Sequence, residues 1–173
     1  MSGWDNIFQC PICGAESVPP HNPNNSNVLI VGEFPGKTEL ERGIPLVGRT
    51  GELLRQELAY LGYGIGSFGL CNLWQHPPNK NEKCLAHGKQ VVIRESEGKE
   101  IILLVGSDVA KEFLTKGVSE LSGLNVKEFL RFEFSAPVVM AMVNPAIMFH
   151  SVAGEVKLAL KKFIREVERL DEG

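Results

Sequence analysis

Four short apolar runs, separated by segments with helical periodicity, constrain the fold more than any other feature of the sequence. They cover Val28–Val31, Phe68–Trp74, Ile101–Val105 and Val138–Val143. Short continuous apolar runs are typical of parallel strands buried on both faces. Strands that alternate with helices form a mainly parallel sheet with a helical layer on each side. We therefore predict an α/β fold, a three-layer α/β/α sandwich around a four-stranded, mainly parallel sheet.

Helical patterns occupy the segments between these runs. Leucines recur at helical spacing from Gly51 to Leu61, and Ser107-Asp108 is a candidate cap for a helix after the third run. The last helix is predicted from about Val152 to Leu170. Phe132-Glu133-Phe134 is a candidate for an additional short strand. These patterns complete the alternation that a layered α/β fold requires.

Length and composition limit the class of protein. The chain has 173 residues, of which 43% are hydrophobic, enough for one domain with a substantial core. We expect a single domain over 1–173, with a cysteine knuckle and a Pro- and Asn-rich linker in residues 1–27. The formal charge of -3 disfavours a generic polyanion-binding surface. Basic residues near the site loops are either a local basic face or ordinary solvated charge.

From the sequence we expect neither a secretory leader nor a membrane span. The segment that begins Met1-Ser2-Gly3-Trp4-Asp5 lacks a basic start and an apolar stretch. No apolar run approaches the roughly 20 residues that a membrane-spanning helix needs. We therefore expect a cytoplasmic monomer without a membrane partner.

The segment Gly32-Glu33-Phe34-Pro35-Gly36 directly follows the first apolar run and places a carboxylate in a tight loop. Open parallel sheets bind their ligands at the carboxyl ends of the strands, where this loop is expected to lie. Two further loops lie at the ends of strand patterns. Cys71–Asn79 begins within the second apolar run, and Asn144–His150 directly follows the fourth. We expect the three loops to converge on one pocket.

These motifs, in this order, resemble the uracil-DNA glycosylase superfamily, and most closely its iron–sulfur-containing family 4. That family has Gly-Glu-(Ala/Gly)-Pro-Gly followed by Gly-x-Pro-Phe-Val-Gly-x-(Ala/Thr)-Gly-x-Leu-Leu. The corresponding segments here are Gly32–Gly36 and Gly43–Leu54, followed by Asn72, Pro77-Pro78 and Leu104-Val105-Gly106. The resemblance covers nearly the whole chain and implies DNA bound at the carboxyl edge of the sheet, with one base flipped into a pocket.

The resemblance also implies a chemical role for Asn72 and Glu33. A flipped base is recognised along its Watson–Crick edge, and the Asn72 amide can donate to O4 and accept from N3–H of uracil. Cleavage of the glycosidic bond leaves positive charge on the sugar, which the Glu33 carboxylate would stabilise directly or through an oriented water. Apart from the resemblance, Asn72 can be interpreted as a strand-ending turn residue and Glu33 as a surface carboxylate.

The first loop is also expected to contact the base. Gly32 and Gly36 allow close approach to the backbone. Pro35 has no N–H, so Phe34 or Gly36 would have to donate a hydrogen bond to the base O2. The Phe34 side chain either closes the pocket against bases with a 5-methyl group or fills core.

Other residues are candidates for contact with DNA. Ile147, Met148 and Phe149 follow the third loop and would either form a wedge in the base stack or begin the packed face of the last helix. Arg49 lies among the basic residues near the site loops. Lys37 is the lysine nearest to the site, and no lysine is clearly placed to form a Schiff base. We therefore predict a monofunctional glycosylase.

The sequence departs from the family pattern at two site positions. Leu46 stands where the family stacks uracil on an aromatic side chain. Asn144 stands where the third motif usually has a histidine that supports the anionic base oxygen; an asparagine gives a neutral, weaker hydrogen bond. The alternative to a DNA repair hydrolase for deaminated bases is therefore a catalytically weak or inactive DNA-binding or replication-accessory module with the same fold.

Four cysteines suggest a metal centre rather than disulfides in a cytosolic chain. By itself, Cys10-Pro11-Ile12-Cys13-Gly14 is typical of zinc ribbons. The resemblance instead implies a [4Fe–4S] cluster whose first two ligands are Cys10 and Cys13. Structural zinc stays open as the alternative.

The third ligand is ambiguous. When the sequence is aligned on Asn72 and Pro77-Pro78, the third cysteine of the family falls at His76, and Cys71 lies just before Asn72. We expect Cys10, Cys13, Cys71 and Cys84 to be the ligands, with His76 in place of Cys71 as the alternative and a buried free thiol as the other interpretation of Cys71.

Overall fold

Six strands form two sheets in the computed structural model, which describes residues 8–117, 121–131, 134–146 and 153–172. An antiparallel hairpin pairs β1 (Phe8–Gln9) with β2 (Glu16–Ser17). The main sheet has the order β4-β3-β5-β6 and is parallel throughout. Its strands are β3 (Val28–Gly32), β4 (Gly69–Asn72), β5 (Ile101–Val105) and β6 (Val138–Met142). The predicted four-stranded parallel sheet is confirmed.

Five α-helices surround the main sheet in the described part of the chain. They are α1 (Lys37–Arg42), α2 (Arg49–Tyr60), α3 (Glu82–Ser96), α4 (Ser107–Phe113) and α5 (Ala153–Glu172). Two 3₁₀ turns, Ile65–Ser67 and Lys127–Phe129, lie in the connections. None of the helices within the described ranges has both the length and the apolar content that a membrane span requires.

Alternate residues of β3 point into two separate cores, which makes the fold a three-layer sandwich. Leu29 and Val31 pack in one buried cluster with side chains of α3 and α4. Val28 and Ile30 pack in the other with side chains of α2 and α5. All five residues of the strand are buried, as expected where both faces of a parallel sheet are covered. The predicted α/β/α layering is confirmed.

The segment between the hairpin and β3 runs along the free edge of β4. The His21 N–H donates to the Leu70 carbonyl, and the Leu70 N–H donates back to His21, both at 2.8 Å. The Val18 N–H donates to the Gln75 carbonyl at 2.7 Å. These bonds attach the amino-terminal segment to the edge strand and cover its unpaired backbone groups.

The additional short strand predicted at Phe132-Glu133-Phe134 lies largely outside the described residues, since only Phe134 is described. Phe134 is buried, and its ring packs on Phe113 with centroids 5.5 Å apart. The strand therefore stays a prediction.

Candidate active site and metal centre

The three candidate residues that the sequence analysis placed at strand ends lie at one edge of the main sheet. Glu33 follows β3 directly, Asn72 is the last residue of β4, and Asn144 lies two residues beyond β6. All strands of this sheet are parallel, so their carboxyl ends share the edge at which such sheets bind ligands.

The Glu33 carboxylate is held by donors from two other elements. Its Oε1 accepts a hydrogen bond from Asn144 Nδ2 at 2.7 Å, and its Oε2 accepts one from the Asp108 N–H at 2.8 Å. Asp108 lies in the first turn of α4, where N–H groups have no partner within the helix. Gly106 makes room for this contact, because a Cβ there would lie 2.3 Å from Glu33 Cδ. One hydrogen bond to each oxygen therefore fixes the orientation of the Glu33 carboxylate.

Asn144 connects Glu33 to α2. Its Oδ1 accepts hydrogen bonds from Thr50 Oγ1 at 3.0 Å and from the Ala146 N–H at 2.9 Å. Since Oδ1 faces these two donors, Nδ2 must face the Glu33 carboxylate. Thr50, Asn144 and Glu33 thus form one chain of hydrogen bonds across the site.

A cavity of about 180 Å³ opens beside this chain of hydrogen bonds. A cavity of about 150 Å³ is known to accommodate benzene, so this one is wide enough for a pyrimidine ring. Its wall combines carboxylates, an amide, a guanidinium and apolar side chains. The lining residues are Glu33, Phe34, Gly36, Glu39, Leu46, Arg49, Thr50 and Asn144.

Asn72 does not line the cavity. Its Oδ1 lies close to Gly32, as does Leu46 Cδ2, since a Cβ on Gly32 would be 2.6 Å from Asn72 Oδ1 and 2.9 Å from Leu46 Cδ2. Asn72 is 2% exposed, and neither Nδ2 nor Oδ1 has a hydrogen-bond partner. The structure therefore brings Glu33 and Asn144 together at one hollow, whereas Asn72 lies outside its lining, next to Leu46.

The unpaired amide of Asn72 is unusual for a buried group. Buried polar side-chain atoms nearly always have a partner, and an unsatisfied one costs about 1–3 kcal/mol. The backbone of Asn72 is satisfied, because its carbonyl accepts from Gln75 Nε2 at 2.7 Å. The side chain alone is therefore available to a ligand that reaches it.

Glu39, which the sequence analysis did not single out, organises both halves of the first site loop. Its buried carboxylate accepts hydrogen bonds from the N–H groups of Gly36 at 2.8 Å and Val47 at 3.0 Å, and from that of Gly48. The signal for this role was the glutamate at the third position of a short helix, the spacing of a capping box. Because Glu39 takes the Gly36 N–H, Phe34 is the remaining candidate donor of that turn.

The other candidate site residues have different environments. Phe34 is 46% exposed at the cavity, so it does not fill core. Arg49 is exposed at the rim, at the first position of α2. Leu46 is buried and has a φ of 57°, in the left-handed region. Ile147, Met148 and Phe149 lie outside the described residues.

A second cluster contains three thiols and one imidazole. The ligand atoms of Cys10, Cys13, His76 and Cys84 all lie within 4.8 Å of one another. Cys10 and Cys13 lie in the turn between β1 and β2, His76 follows β4, and Cys84 is in the first turn of α3. Such a set can hold a metal ion.

Cys71 is not part of this cluster, which corrects the preferred ligand set. Its side chain points from β4 into the core shared with α3 and α4, where it is fully buried. Burial raises the pKa of the Cys71 thiol strongly, and the charge of Glu95 adds to this. The structure therefore gives the alternative set, with His76 in the place of Cys71.

The surroundings of Cys10 and Cys84 change the pKa of these two thiols. Burial raises the pKa of Cys10, but hydrogen bonds from the backbone of Cys13 and Ile12 outweigh this and lower it from 9.0 to about 7. Burial raises the pKa of the Cys84 thiol, with Asn79 acting in the opposite direction. A lowered thiol pKa favours the thiolate, which is the form that binds metal.

Comparison with known proteins gives two matches. The model of the uracil DNA glycosylase superfamily matches residues 19–168 of the chain. A type-4 uracil-DNA glycosylase of Pyrobaculum aerophilum is 38% identical over 167 residues, a match that covers 90% of this chain and 83% of the relative.

Proposed function

The chain belongs to the uracil DNA glycosylase superfamily, and on that premise we propose that it is a monofunctional DNA repair glycosylase. It would hydrolyse the N-glycosidic bond of a flipped deaminated base, uracil first, and leave an abasic site. The observation that carries this proposal is the pair Glu33 and Asn144, hydrogen-bonded to each other at the wall of a cavity wide enough for a pyrimidine.

Glu33 would act on the sugar side of the bond. As the base departs, positive charge develops on the sugar, and a carboxylate fixed nearby stabilises it without reorganisation. A carboxylate offers about four lone-pair sites, and the two donors to Glu33 occupy one on each oxygen. The remaining sites can orient the attacking water.

Asn144 and the first loop would act on the base side. The Asn144 Nδ2 group carries two hydrogens, one of which bonds Glu33. The second can donate to the base oxygen as negative charge grows there. The Phe34 N–H is the backbone donor proposed for the same oxygen, because the Gly36 N–H already bonds Glu39.

Asn72 would recognise the base after Leu46 moves aside. The Asn72 amide lacks partners in the described structure, and the edge of uracil offers the complementary donor and acceptor. Leu46 lines the cavity, and its side chain lies close to Gly32 beside this amide. We propose that entry of the base displaces the Leu46 side chain, which then packs on the ring in place of an aromatic residue.

Contact with the DNA backbone would come from Arg49 at the rim. It is exposed and lines the cavity mouth, so its guanidinium can reach a phosphate.

The wedge of Ile147, Met148 and Phe149 stays a prediction, as do the monomeric state and the cytoplasmic location. Lys37 is absent from the cavity lining and lies 3.9 Å from Glu41 in an exposed pair, which supports hydrolysis without a Schiff base.

The cysteine cluster would have a structural role. The family resemblance implies a [4Fe–4S] cluster, whereas the donor set here is three thiolates and one imidazole. Whichever metal it holds, the centre joins the β1–β2 turn to the loop after β4 and to α3. It lies outside the cavity lining, so no step of hydrolysis is assigned to it.

The competing function is a DNA-binding module that has lost catalysis, and Leu46 at the stacking position favours it. The test is incubation with single- and double-stranded oligonucleotides that contain uracil, hypoxanthine or thymine at one position, followed by alkali. We expect strand scission at uracil, with free uracil released. Binding without scission on every oligonucleotide would select the competing function, and scission at hypoxanthine alone would reassign the substrate.

A further inference from the structure

The spacing of the metal-binding atoms distinguishes a single ion from a cluster. Cys10 Sγ and Cys84 Sγ are 3.8 Å apart, and Cys13 Sγ is 3.6 Å from His76 Nε2. All four ligand atoms lie within 4.8 Å of one another. They therefore surround a small central volume.

The Cys10–Cys84 and Cys13–His76 separations match those around a tetrahedral zinc ion. With Zn–S bonds of about 2.3 Å and Zn–N bonds of about 2.0–2.1 Å, two sulfurs lie about 3.8 Å apart, and a sulfur and a nitrogen lie about 3.5–3.6 Å apart. In a [4Fe–4S] cubane each ligand binds its own iron, which spreads the ligand atoms to separations of about 6 Å. Four ligand atoms that all lie within 4.8 Å of one another are too close together for the cubane.

Hydrogen bonds with neighbouring groups orient the metal ligands, as they do in protein metal sites. The Nδ1 atom of His76 lies 2.8 Å from the Pro77 carbonyl, so Nδ1–H donates to it and Nε2 faces the thiolates. The Asn79 amide donates to the sulfurs of Cys84 at 3.6 Å and Cys13 at 3.9 Å. Such outer hydrogen bonds fix the tautomer of a ligating histidine and tune its partners.

We propose that this chain holds one Zn²⁺ ion, bound by Cys10, Cys13, His76 and Cys84, instead of a [4Fe–4S] cluster. Three thiolates and one imidazole in a tetrahedral arrangement suit zinc. Four protein ligands close the coordination sphere, which is the mark of a structural rather than a catalytic zinc site.

The zinc site stabilises the active-site edge through the loop after β4. His76 holds one end of this loop at the metal. At the other end, the Leu73 N–H donates to the Gly32 carbonyl and the Trp74 N–H donates to the Glu33 carbonyl, each at 2.9 Å. The backbone of Glu33 is thus connected to the metal by a short segment. Loss of zinc is expected to loosen this edge as well as the amino-terminal turn.

The test is metal analysis of protein purified without air from cells supplied with both iron and zinc. We expect about one zinc per chain, little iron or acid-labile sulfide, and a colourless solution. Iron and sulfide near four each, with a brown colour, would overturn the proposal. So would one iron without sulfide, or a folded protein that holds no metal and takes up none when titrated with Zn²⁺.

X-ray absorption at the zinc edge tests the ligand set. We expect three sulfurs at about 2.3 Å and one imidazole nitrogen at about 2.0 Å. His76→Cys should keep the zinc but replace the imidazole signal with a fourth sulfur. Cys71→Ala is the matched control and should leave the metal content and the spectrum unchanged. Loss of zinc in Cys71→Ala, or an imidazole signal that persists in His76→Cys, would overturn the assignment.

Discussion

At the scale of single residues, the buried amide of Asn72 is expected to lower stability in return for the recognition of a base proposed for it. Its amide is buried without partners, an arrangement that destabilises the free protein. The proposed function explains why the residue is tolerated, since a base that reaches it would satisfy both polar atoms. Substitution of Asn72 by an apolar residue is therefore expected to raise the stability of the protein and to lower its activity.

We predict that Asn72→Leu raises the free energy of unfolding by about 1–3 kcal/mol, because it removes the unsatisfied groups at nearly constant volume. Excision of uracil should fall by about 10²–10³. Denaturant unfolding and single-turnover excision measure the two effects. Asn27→Leu, at an exposed position, should change neither. A less stable Asn72→Leu protein that retains activity would contradict the assignment.

Sequence motifs identified Glu33 and Asn144 because their spacing from the strand patterns is sufficient to place them at the sheet edge. They did not distinguish His76 from Cys71. That choice depends on side-chain direction: Cys71 is a strand residue whose alternation points it into the core, whereas His76 lies beyond the strand.

At the scale of elements, the first site loop is the least predictable part of the fold. The sequence analysis placed no helix between the first strand pattern and Gly51, but the six-residue helix α1 lies there. This helix has no apolar stripe long enough to be recognised. Its position depends on one buried carboxylate, that of Glu39, which bonds N–H groups before and after it.

We predict that Glu39→Gln lowers the free energy of unfolding by about 1–3 kcal/mol, because an amide cannot replace a charged acceptor of several N–H bonds. Excision should also slow, since the turn that contains Phe34 loses its anchor. Glu41→Gln is the control: its side chain is 63% exposed on the same helix, and we expect a change below about 0.5 kcal/mol. Equal unfolding curves for the two variants would contradict this role of Glu39.

At the scale of the whole molecule, charge limits how the protein can bind DNA. The chain carries a formal charge of -3, so we expect attraction to phosphates to come from a few local cations, of which Arg49 is the proposed one. The layered fold was predictable because four apolar runs alternate with helices. The distribution of charge over its surface was not, because it depends on which loops come together.

We predict a shallow salt dependence of DNA binding, with a slope of log K against log salt between about -2 and -4, which corresponds to a few phosphate contacts. Fluorescence anisotropy with a uracil-containing duplex and the Glu33→Gln variant measures the slope without turnover. Adding Arg49→Gln should reduce its magnitude by about one. A slope steeper than about -6, unchanged by Arg49→Gln, would indicate a different binding surface.

The most direct test of the proposed active site is single-turnover excision of uracil by the wild-type chain and by Glu33→Gln. The glutamine side chain keeps the size of Glu33 but has no negative charge to stabilise the sugar cation, and its amide nitrogen cannot accept the hydrogen bond that Asn144 or Asp108 donates to the carboxylate. The proposed mechanism predicts measurable excision by the wild type and a rate lower by about 10²–10⁴ in the variant, with DNA binding retained. Equal rates for the two proteins would contradict it.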